Sequence, residues 1–375
     1  HQPTQWRGTL AQLWEKLAEA VERTGQHETA RAHFQQALSM TDNEPLTQAR
    51  LYRRIGAAHT IERHFAEALQ EWKKAEQVLG KPTEESAPTH WHEWIEIQVE
   101  RLWAHYWQNQ VEGMEEICRE LIPLSEQYGA ALQRSRTWIC FALYCFRRER
   151  YVASDETLVK ALTGLQVVLT TGRPDLSHDA HFQMGFFHLF RREFAEADEN
   201  LHQCLAFAGR LGDPLRQARA HNYLMVLARM RGQVEAALSY LPAILKTPWA
   251  GPMADYTPQV CACKAWAAWR SGDLREAQAH GLAAYDADQK IVVKFPFRWT
   301  FLFPLLAVAV SANELAAARQ YAQELLALCT DQDPRELEAG RHEAEVLVGV
   351  EVLAGRRVPR EVRARLGPRR GDGAL

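Results

Sequence analysis

The stretch that decides the fold runs from Tyr52 to Ala75 and reads YRRIGAAHTIERHFAEALQEWKKA. Ile55 and Gly56 lie one turn after Tyr52, so the first half predicts a helix whose apolar stripe contains a glycine notch. After a short polar break, three residues fall at i, i+4 and i+7 on one face of a second helix: Ala68, Trp72 and Ala75. Because the small residues permit close approach, Tyr52 and Trp72 are expected to fill the space around the notch. The stretch therefore predicts two packed helices.

The same pattern recurs along the chain. A shift of 38 residues places Ala30 on Ala68 and Phe34 on Trp72, and Trp14 marks the large residue of the preceding helix. The small or mid-sized residue at the Ala30 position can be followed through eight members: Ala30, Ala68, Met114, Ser154, Ala197, Ala237, Ala277 and Ala318. The period is near 40 residues, which predicts about eight helix pairs with long helices or long connections.

Capping signals support this division. Asp273 followed by Glu276 indicates a capping box at the start of a second helix of a pair. Glycines are expected to end the first helices of three pairs: Gly25, Gly232 and Gly272. Pro304 predicts a kink or a delayed start in the last first helix, and Arg335–Ala354 predicts a closing helix. We therefore expect residues 1–9 to be the flank of a longer parent chain, 10–354 the repeat domain and 355–375 a basic tail.

Composition narrows the class of protein. The chain has 375 residues, 47% of them hydrophobic, and a formal net charge of -3, so a large core is possible and nucleic-acid binding is not expected. No apolar run of 18 residues exists, and the N-terminus lacks the apolar core of a signal peptide. The seven cysteines are scattered within apolar helical runs, which indicates buried, reduced thiols and a cytoplasmic protein.

The sequence contains few signals for catalysis. His181 and His188 are seven apart on one face, but no cysteine or carboxylate completes a metal-ligand spacing. Cys261 and Cys263 point to opposite sides of a helix, so they do not form a redox pair. There is no G-x-x-x-x-G-K-[ST] phosphate loop and no G-x-S-x-G elbow. We therefore expect a protein without enzymatic activity, cofactor or metal.

The spacing in residues 52–75 resembles the tetratricopeptide repeat, a two-helix unit. The resemblance implies an all-α fold: a right-handed superhelix, or α-solenoid, of about eight helix pairs with a C-terminal capping helix. It also implies that residues one, five, eight and nine places after the Trp14 position line the concave face. We call these the inner-face positions. Successive units carry aromatic residues and two arginines there, and these are the candidate binding residues: Trp103, Tyr106, Trp107, Phe146, Arg147, Phe186, Phe190, Trp266, Trp269 and Arg270.

Two interpretations of these aromatic residues remain open. Tight curvature can pack the first helices of successive pairs together and bury the rings as core. Alternatively, the rings line an apolar groove for a peptide, a protein segment or a small molecule, with Arg147 or Arg270 contacting a carboxylate or phosphate.

Longer strings suggest a larger context: ARLYRRIG from Ala49, WHEWIEIQ from Trp91, RYVASDETL from Arg150 and FPFRW from Phe295. They resemble the C-terminal tetratricopeptide region of bacterial STAND signal-transduction ATPases, which often carry cyclase or kinase effector domains. The resemblance implies a sensor that holds its own upstream ATPase and effector domains inactive until a ligand binds. The alternative is a free-standing peptide receptor or adaptor, and a phosphate loop upstream in the parent chain would separate the two.

Overall fold

The computed structural model describes residues 3–22, 24, 26–62, 64–148, 154–246, 256–290 and 298–328, and every regular element in them is an α-helix. These helices belong to two compact units. The first unit contains α1 (Pro3–Glu22), α2 (His27–Ser39), α3 (Pro45–Ile61), α4 (Phe65–Leu79), α5 (Pro88–Gln108), α6 (Val111–Tyr128), α7 (Ala131–Arg148) and α8 (Asp155–Leu169). The second contains α9 (Pro174–Arg191), α10 (Phe194–Leu211), α11 (Pro214–Met230), α12 (Val234–Ser239), α13 (Leu241–Leu245), α14 (Thr257–Ser271), α15 (Leu274–Lys290), α16 (Trp299–Ser311) and α17 (Leu315–Leu328).

The helices pack as hairpins, each with a first helix A and a second helix B. The A helices are α1, α3, α5 and α7 in the first unit and α9, α11, α14 and α16 in the second. Within a unit, each B helix also contacts the A helix that follows it, and from α3 onward neighbouring A helices touch. The described residues thus form eight hairpins, which confirms the predicted all-helical array of about eight pairs.

The notch in α3 is filled as the sequence predicts. The indole of Trp72 is fully buried, and its Nε1 donates a hydrogen bond to the Arg53 carbonyl at 3.1 Å. A Cβ atom on Gly56 would lie 2.4 Å from that Nε1, so glycine is required for this close approach of α4 to α3. Tyr52, by contrast, stays half-buried at the edge of the contact.

We expect Gly56→Ala to lower the free energy of unfolding by about 1–3 kcal/mol, because the added methyl group forces the Trp72 ring out of its site. Gly8→Ala is the matched control, since Gly8 lies in α1 and an added Cβ meets nothing within 4 Å. The control should stabilise the helix by about 0.5–1 kcal/mol. Chemical denaturation followed by circular dichroism measures both. Equal effects of the two substitutions would contradict the packing described for Trp72.

The backbone identifies the equivalent residue of each B helix. In seven of the eight B helices, the residue predicted from the repeat is buried, and its amide donates to the carbonyl four residues earlier, just before the helix. The predicted fourth member, Ser154, is wrong. Ser154 is the exposed N-cap of α8, where its hydroxyl accepts from the Thr157 amide, and the equivalent residue is the buried Leu158. The connection between α7 and α8 has more residues than the connection within any other hairpin, so the position predicted from the repeat lies four residues too early.

The sequence also predicted several helix ends, a helix cap and an effect of Pro304 on its helix. Gly232 and Gly272 follow α11 and α14 with positive φ, as predicted for A-helix ends. Asp273 caps α15 by accepting from the Glu276 amide at 3.0 Å. Pro304 lies inside α16, which begins five residues before it, so the helix start is not delayed to the proline. Gly25, the closing helix Arg335–Ala354 and the basic tail lie outside the described residues.

The B helix of the sixth hairpin is not continuous. The sixth B helix is divided into α12 and α13, because Pro242 has no amide hydrogen to continue the helical ladder.

In the part of the chain that the structure describes, no helix is long and apolar enough to cross a membrane.

Candidate functional site

The ten candidate residues divide evenly between the two units, on A helices. Four of them are buried: Tyr106, Phe146, Phe186 and Trp266. Five are half-buried: Trp103, Trp107, Arg147, Phe190 and Trp269. Arg270 is exposed at the end of α14. The burial favours the core interpretation for the first four residues and leaves the other six accessible to a ligand.

In the first unit, the ends of α5 and α7 form a cluster that we call the α5–α7 patch: Trp103, Tyr106, Trp107 and Arg147. The buried Phe146 precedes Arg147 in α7. The Tyr106 ring is central, and it meets Trp103 and Trp107 edge-on at centroid distances of 5.8 and 5.3 Å. From α7, the guanidinium carbon of Arg147 lies 4.4 Å from the Tyr106 centroid. A buried tyrosine thus supports two half-buried indoles and a cation, which is a geometry suited to stacking contacts.

Charged side chains also lie on the A helices of the first unit. Ion pairs join α1 to α3, α3 to α5 and α5 to α7, and we call them the ion-pair ladder: Glu15–Arg50, Arg53–Glu93, and Arg136 with Glu96 and Glu100. The first is a two-bond contact, because Arg50 Nε and Nη2 each donate to a Glu15 oxygen at 3.0 Å. In the first unit, each A helix is therefore cross-linked to the next one by a planar guanidinium, the group best suited to paired carboxylate contacts.

The ladder also favours the charged forms of Glu96 and Arg136. Burial on its own would raise the pKa of Glu96, but the guanidinium groups of Arg136 and Arg53 outweigh burial and hold that pKa below its ordinary value. Burial likewise works against the charge of Arg136, and Glu96 and Glu100 raise its pKa. Both signs of charge are therefore kept, and they neutralise one another along this part of the face.

In the second unit, α9 and α11 form an aromatic cluster. Phe186 lies 4.8 Å from Phe190, and Tyr223 of α11 meets the Phe182 ring edge-on at 4.8 Å. The guanidinium of Arg219 stacks 3.5 Å from the Phe182 centroid. Phe182 and Phe186 are buried, so these rings stabilise the contact between the two helices, and Phe190 at the end of α9 remains half-buried.

Arg229 links three A helices of the second unit. Its Nη1 donates to the Ala262 carbonyl of α14 at 3.1 Å, and its Nη2 donates to the Thr300 carbonyl of α16 at 2.5 Å. The guanidinium carbon also lies 5.3 Å from the Trp266 centroid. The sequence alone explains an arginine at the end of an A helix, because a cation interacts favourably with the negative end of the helix dipole. In the structure, Arg229 is a buried cross-link, and it holds Trp266 in place.

Sequence reasoning passed over the sixth hairpin because it lacks inner-face aromatic residues. The same spacing rule places Asn222 and Arg229 there, and both are buried. Among the described residues, neither the amide nitrogen nor the amide oxygen of Asn222 has a hydrogen-bond partner. The signal that could have found Asn222 is a polar residue at a position where the rule expects contact with a ligand or a neighbouring helix.

The histidines considered as metal ligands have separate partners. The Nδ1 atom of His181 lies 3.0 Å from the Asn200 amide oxygen, and that of His188 lies 2.6 Å from a Glu193 carboxylate oxygen. No group of three or more potential ligands among histidine, cysteine, aspartate and glutamate occurs within the described ranges. Six of the cysteines lie in those ranges as free thiols, five of them buried, and burial raises the pKa of Cys140 to about 12.

Solved structures of other proteins have a similar fold. No protein-family model matches the chain, and no curated protein sequence matches it. The structure of NprR in complex with its cognate peptide NprX aligns with a TM-score of 0.60 at 11% identity, over 92% of this chain and 98% of that one. A Rap protein complexed with competence and sporulation factor aligns with a TM-score of 0.52 at 14% identity, over 95% and 100%.

A third solved structure concerns the resemblance drawn from the sequence. A STAND protein with a tetratricopeptide repeat sensor from Pyrococcus horikoshii aligns with a TM-score of 0.45 at 14% identity, over 92% of this chain and 45% of that one. This value is too low to support an argument, so the STAND assignment stays a hypothesis. At these identities the comparisons establish the fold alone: the chain has the helical-hairpin array of the tetratricopeptide type that Rap and NprR share.

Proposed function

We propose that this protein is a non-catalytic scaffold that binds a peptide, a protein segment or a small molecule on the inner face of its A helices. The observation that carries the proposal is the α5–α7 patch. Trp103, Trp107 and Arg147 are only half-buried there, although the tyrosine beneath them is buried. Half-exposed tryptophans on a rigid support are typical binding hot spots, because they offer a large contact area and lose little conformational freedom.

The charges near the patch favour a ligand with an anionic group. The guanidinium of Arg147 stacks on the Tyr106 ring, next to the two half-buried indoles. A carboxylate or phosphate next to Arg147 would gain a charge-assisted contact while an apolar portion stacks on the indoles. In the second unit, the half-buried Trp269 and the exposed Arg270 are neighbours in sequence at the end of α14.

Two biological contexts fit such a scaffold. In the first, the chain is the autoinhibitory sensor region of a larger STAND-type ATPase in the cytoplasm, and its partners include the upstream ATPase and effector domains of its own polypeptide. In the second, the chain is a free-standing peptide receptor or adaptor. The second context is supported by the fold shared with the Rap protein and NprR, whose solved structures are complexes with a factor and a cognate peptide. A phosphate-binding loop upstream in the parent polypeptide would support the first.

We expect Trp103→Ala to weaken ligand binding by roughly thirtyfold, since loss of one hot-spot ring costs about 2 kcal/mol. The measurement starts from an array of short linear peptides with free C-terminal carboxylates. Sequences that bind the wild-type chain are then titrated against the variant. The melting temperature of Trp103→Ala should stay close to that of the wild type, because the ring is half-exposed.

Trp138→Ala is the matched control for this experiment. Trp138 is also half-buried and lies on α7 of the same unit, but its ring faces α8, where the Lys160 ammonium lies 4.2 Å from its centroid. This variant should bind the selected peptides as the wild type does. If Trp138→Ala weakened binding as much as Trp103→Ala, the α5–α7 patch would not be the binding site.

A further inference from the structure

One side of α5 carries carboxylates followed by indoles. Glu96, Glu100, Trp103 and Trp107 lie at i, i+4, i+7 and i+11, so the four side chains form a stripe along the helix. All four are half-buried, whereas Val99 beside the stripe is fully buried. The accessible stripe therefore combines negative charge with aromatic rings, and its C-terminal half belongs to the α5–α7 patch.

The two glutamates of the stripe are not equally compensated. Glu96 pairs with the Arg136 guanidinium of α7, and it also accepts a hydrogen bond from the Gln133 side-chain amide at 3.1 Å. Glu100 accepts one hydrogen bond from the described residues, a long one from Arg136 Nη2 at 3.5 Å. Because a carboxylate has about four acceptor sites, Glu100 keeps most of its hydrogen-bonding capacity for another donor.

A third carboxylate occupies the other guanidinium of this region. The Nε atom of Arg53 in α3 donates to Glu93 at 2.5 Å. Burial lowers the pKa of Arg53, but the charges of Glu93, Glu100 and Glu96 outweigh burial and raise that pKa. In this part of the described structure, Arg53 and Arg136 thus face three carboxylates. Glu100, which is nearest in the chain to the indoles, has no guanidinium of its own.

We propose that the ligand of the α5–α7 patch carries a cationic group, which binds between the Glu100 carboxylate and the Trp103 indole. This inference rests on the proposed function and specifies its ligand. Residues three apart on a helix are neighbours, so the two side chains offer a charge-assisted contact and an aromatic face to the same cation. A lysine ammonium or an arginine guanidinium suits this place, because tryptophan is the ring that attracts such cations most strongly.

Arg147 provides the opposite charge at the other end of the patch. Its guanidinium lies on the Tyr106 ring. Six residues of α5 lead from Glu100 to Tyr106, which corresponds to a rise of about 9 Å. An extended peptide covers this distance in about three residues. The occupant is therefore a peptide that runs parallel to α5, with a lysine or arginine three positions before its last residue and a free C-terminal carboxylate at Arg147.

The test uses short acetylated peptides with a free C-terminal carboxylate, selected from an array for binding to the wild-type chain. Each selected sequence is made with lysine, norleucine or glutamate three positions before its last residue. The lysine form should bind roughly tenfold more tightly than the norleucine form, which has a side chain of similar length without the charge. The glutamate form should bind most weakly, and high salt should reduce the preference for lysine.

Variants of the protein locate the cation. Glu100→Gln removes the charge and keeps the shape, so this variant should bind the lysine and norleucine forms equally. Glu112→Gln, at an exposed position in the first turn of α6, is the matched control and should keep the wild-type preference. Trp103→Leu retains an apolar contact without the aromatic face, so it should also reduce the preference. Trp103→Leu supplies the test if Glu100→Gln fails to fold.

Two results would overturn the cation site alone. Equal affinities of the lysine and norleucine forms for the wild-type chain would do so, while peptide binding that Trp103→Ala weakens would still support the proposed function. A lysine preference that persists in Glu100→Gln would place the cation elsewhere on the protein. If the wild-type chain binds none of the peptides, the proposed peptide site and the cation site both fail.

Discussion

Ala68→Arg is expected to lower the free energy of unfolding by about 3 kcal/mol or more. Ala68 lies in α4 with no exposed surface, at the position that is buried in the B helix of each hairpin. An arginine there must either bury a charge without a prepared partner or push the helix away from α3. Denaturant unfolding of the variant, followed by helical circular dichroism, measures the loss.

Ala66→Arg provides a stringent control. Ala66 lies two residues away on the same helix and is exposed, so the same change of residue is made on the solvent side. We expect its unfolding free energy to stay within about 0.5 kcal/mol of the wild type. An Ala68→Arg protein that melts like Ala66→Arg would mean that the register assigned to the whole array is incorrect.

Trp266→Ala should have an effect of similar or larger size in the second unit. Trp266 is 2% exposed and lies against Arg229, so truncation opens a cavity and removes the surface on which the guanidinium rests. Large aromatic truncations in cores cost about 3–5 kcal/mol. A decrease of this size in the unfolding free energy would support the core interpretation at this residue, even though the sequence places it among the candidate binding residues.

The contrast with Trp269→Ala sharpens that test. Trp269 is three residues further along α14 and is half-buried, so its truncation should cost distinctly less stability. If the inner face of the second unit binds ligand, Trp269→Ala should weaken binding while the fold persists. A stable Trp266→Ala protein with impaired binding would instead mean that Trp266 lines an open groove.

The fold could be predicted from the sequence because the residues that determine the helix packing lie close together in the chain and recur at a regular spacing. In the first two hairpins a small residue is followed four places later by a large aromatic one, Ala30 by Phe34 and Ala68 by Trp72, and the position of that small residue can be followed through the later hairpins. The failure at Ser154 has a physical cause. A serine at a helix N-cap and a residue inside the first turn lie only four positions apart, and a longer connection before α8 brought the cap into the expected count.

The candidate site was less predictable, because exposure depends on contacts between distant segments. The spacing rule assigned Trp103 and Trp266 to equivalent positions, yet one is half-buried and the other is core. The ion-pair ladder joins residues 35 to 40 positions apart, and charge spacing within one helix gives no indication of such pairs. A search for aromatic residues also could not detect Asn222, which is polar and whose side-chain amide has no hydrogen-bond partner among the described residues.

The burial of Asn222 bears on the stability of the second unit. A buried amide without partners costs about 1–3 kcal/mol relative to an apolar group of similar shape. A sequence optimised for the free energy of unfolding alone would therefore place leucine at residue 222. Natural chains forgo stability in this way mainly at positions where another requirement decides the residue. Asn222 is thus a buried residue of α11 whose amide gains no stability from hydrogen bonds to the described residues.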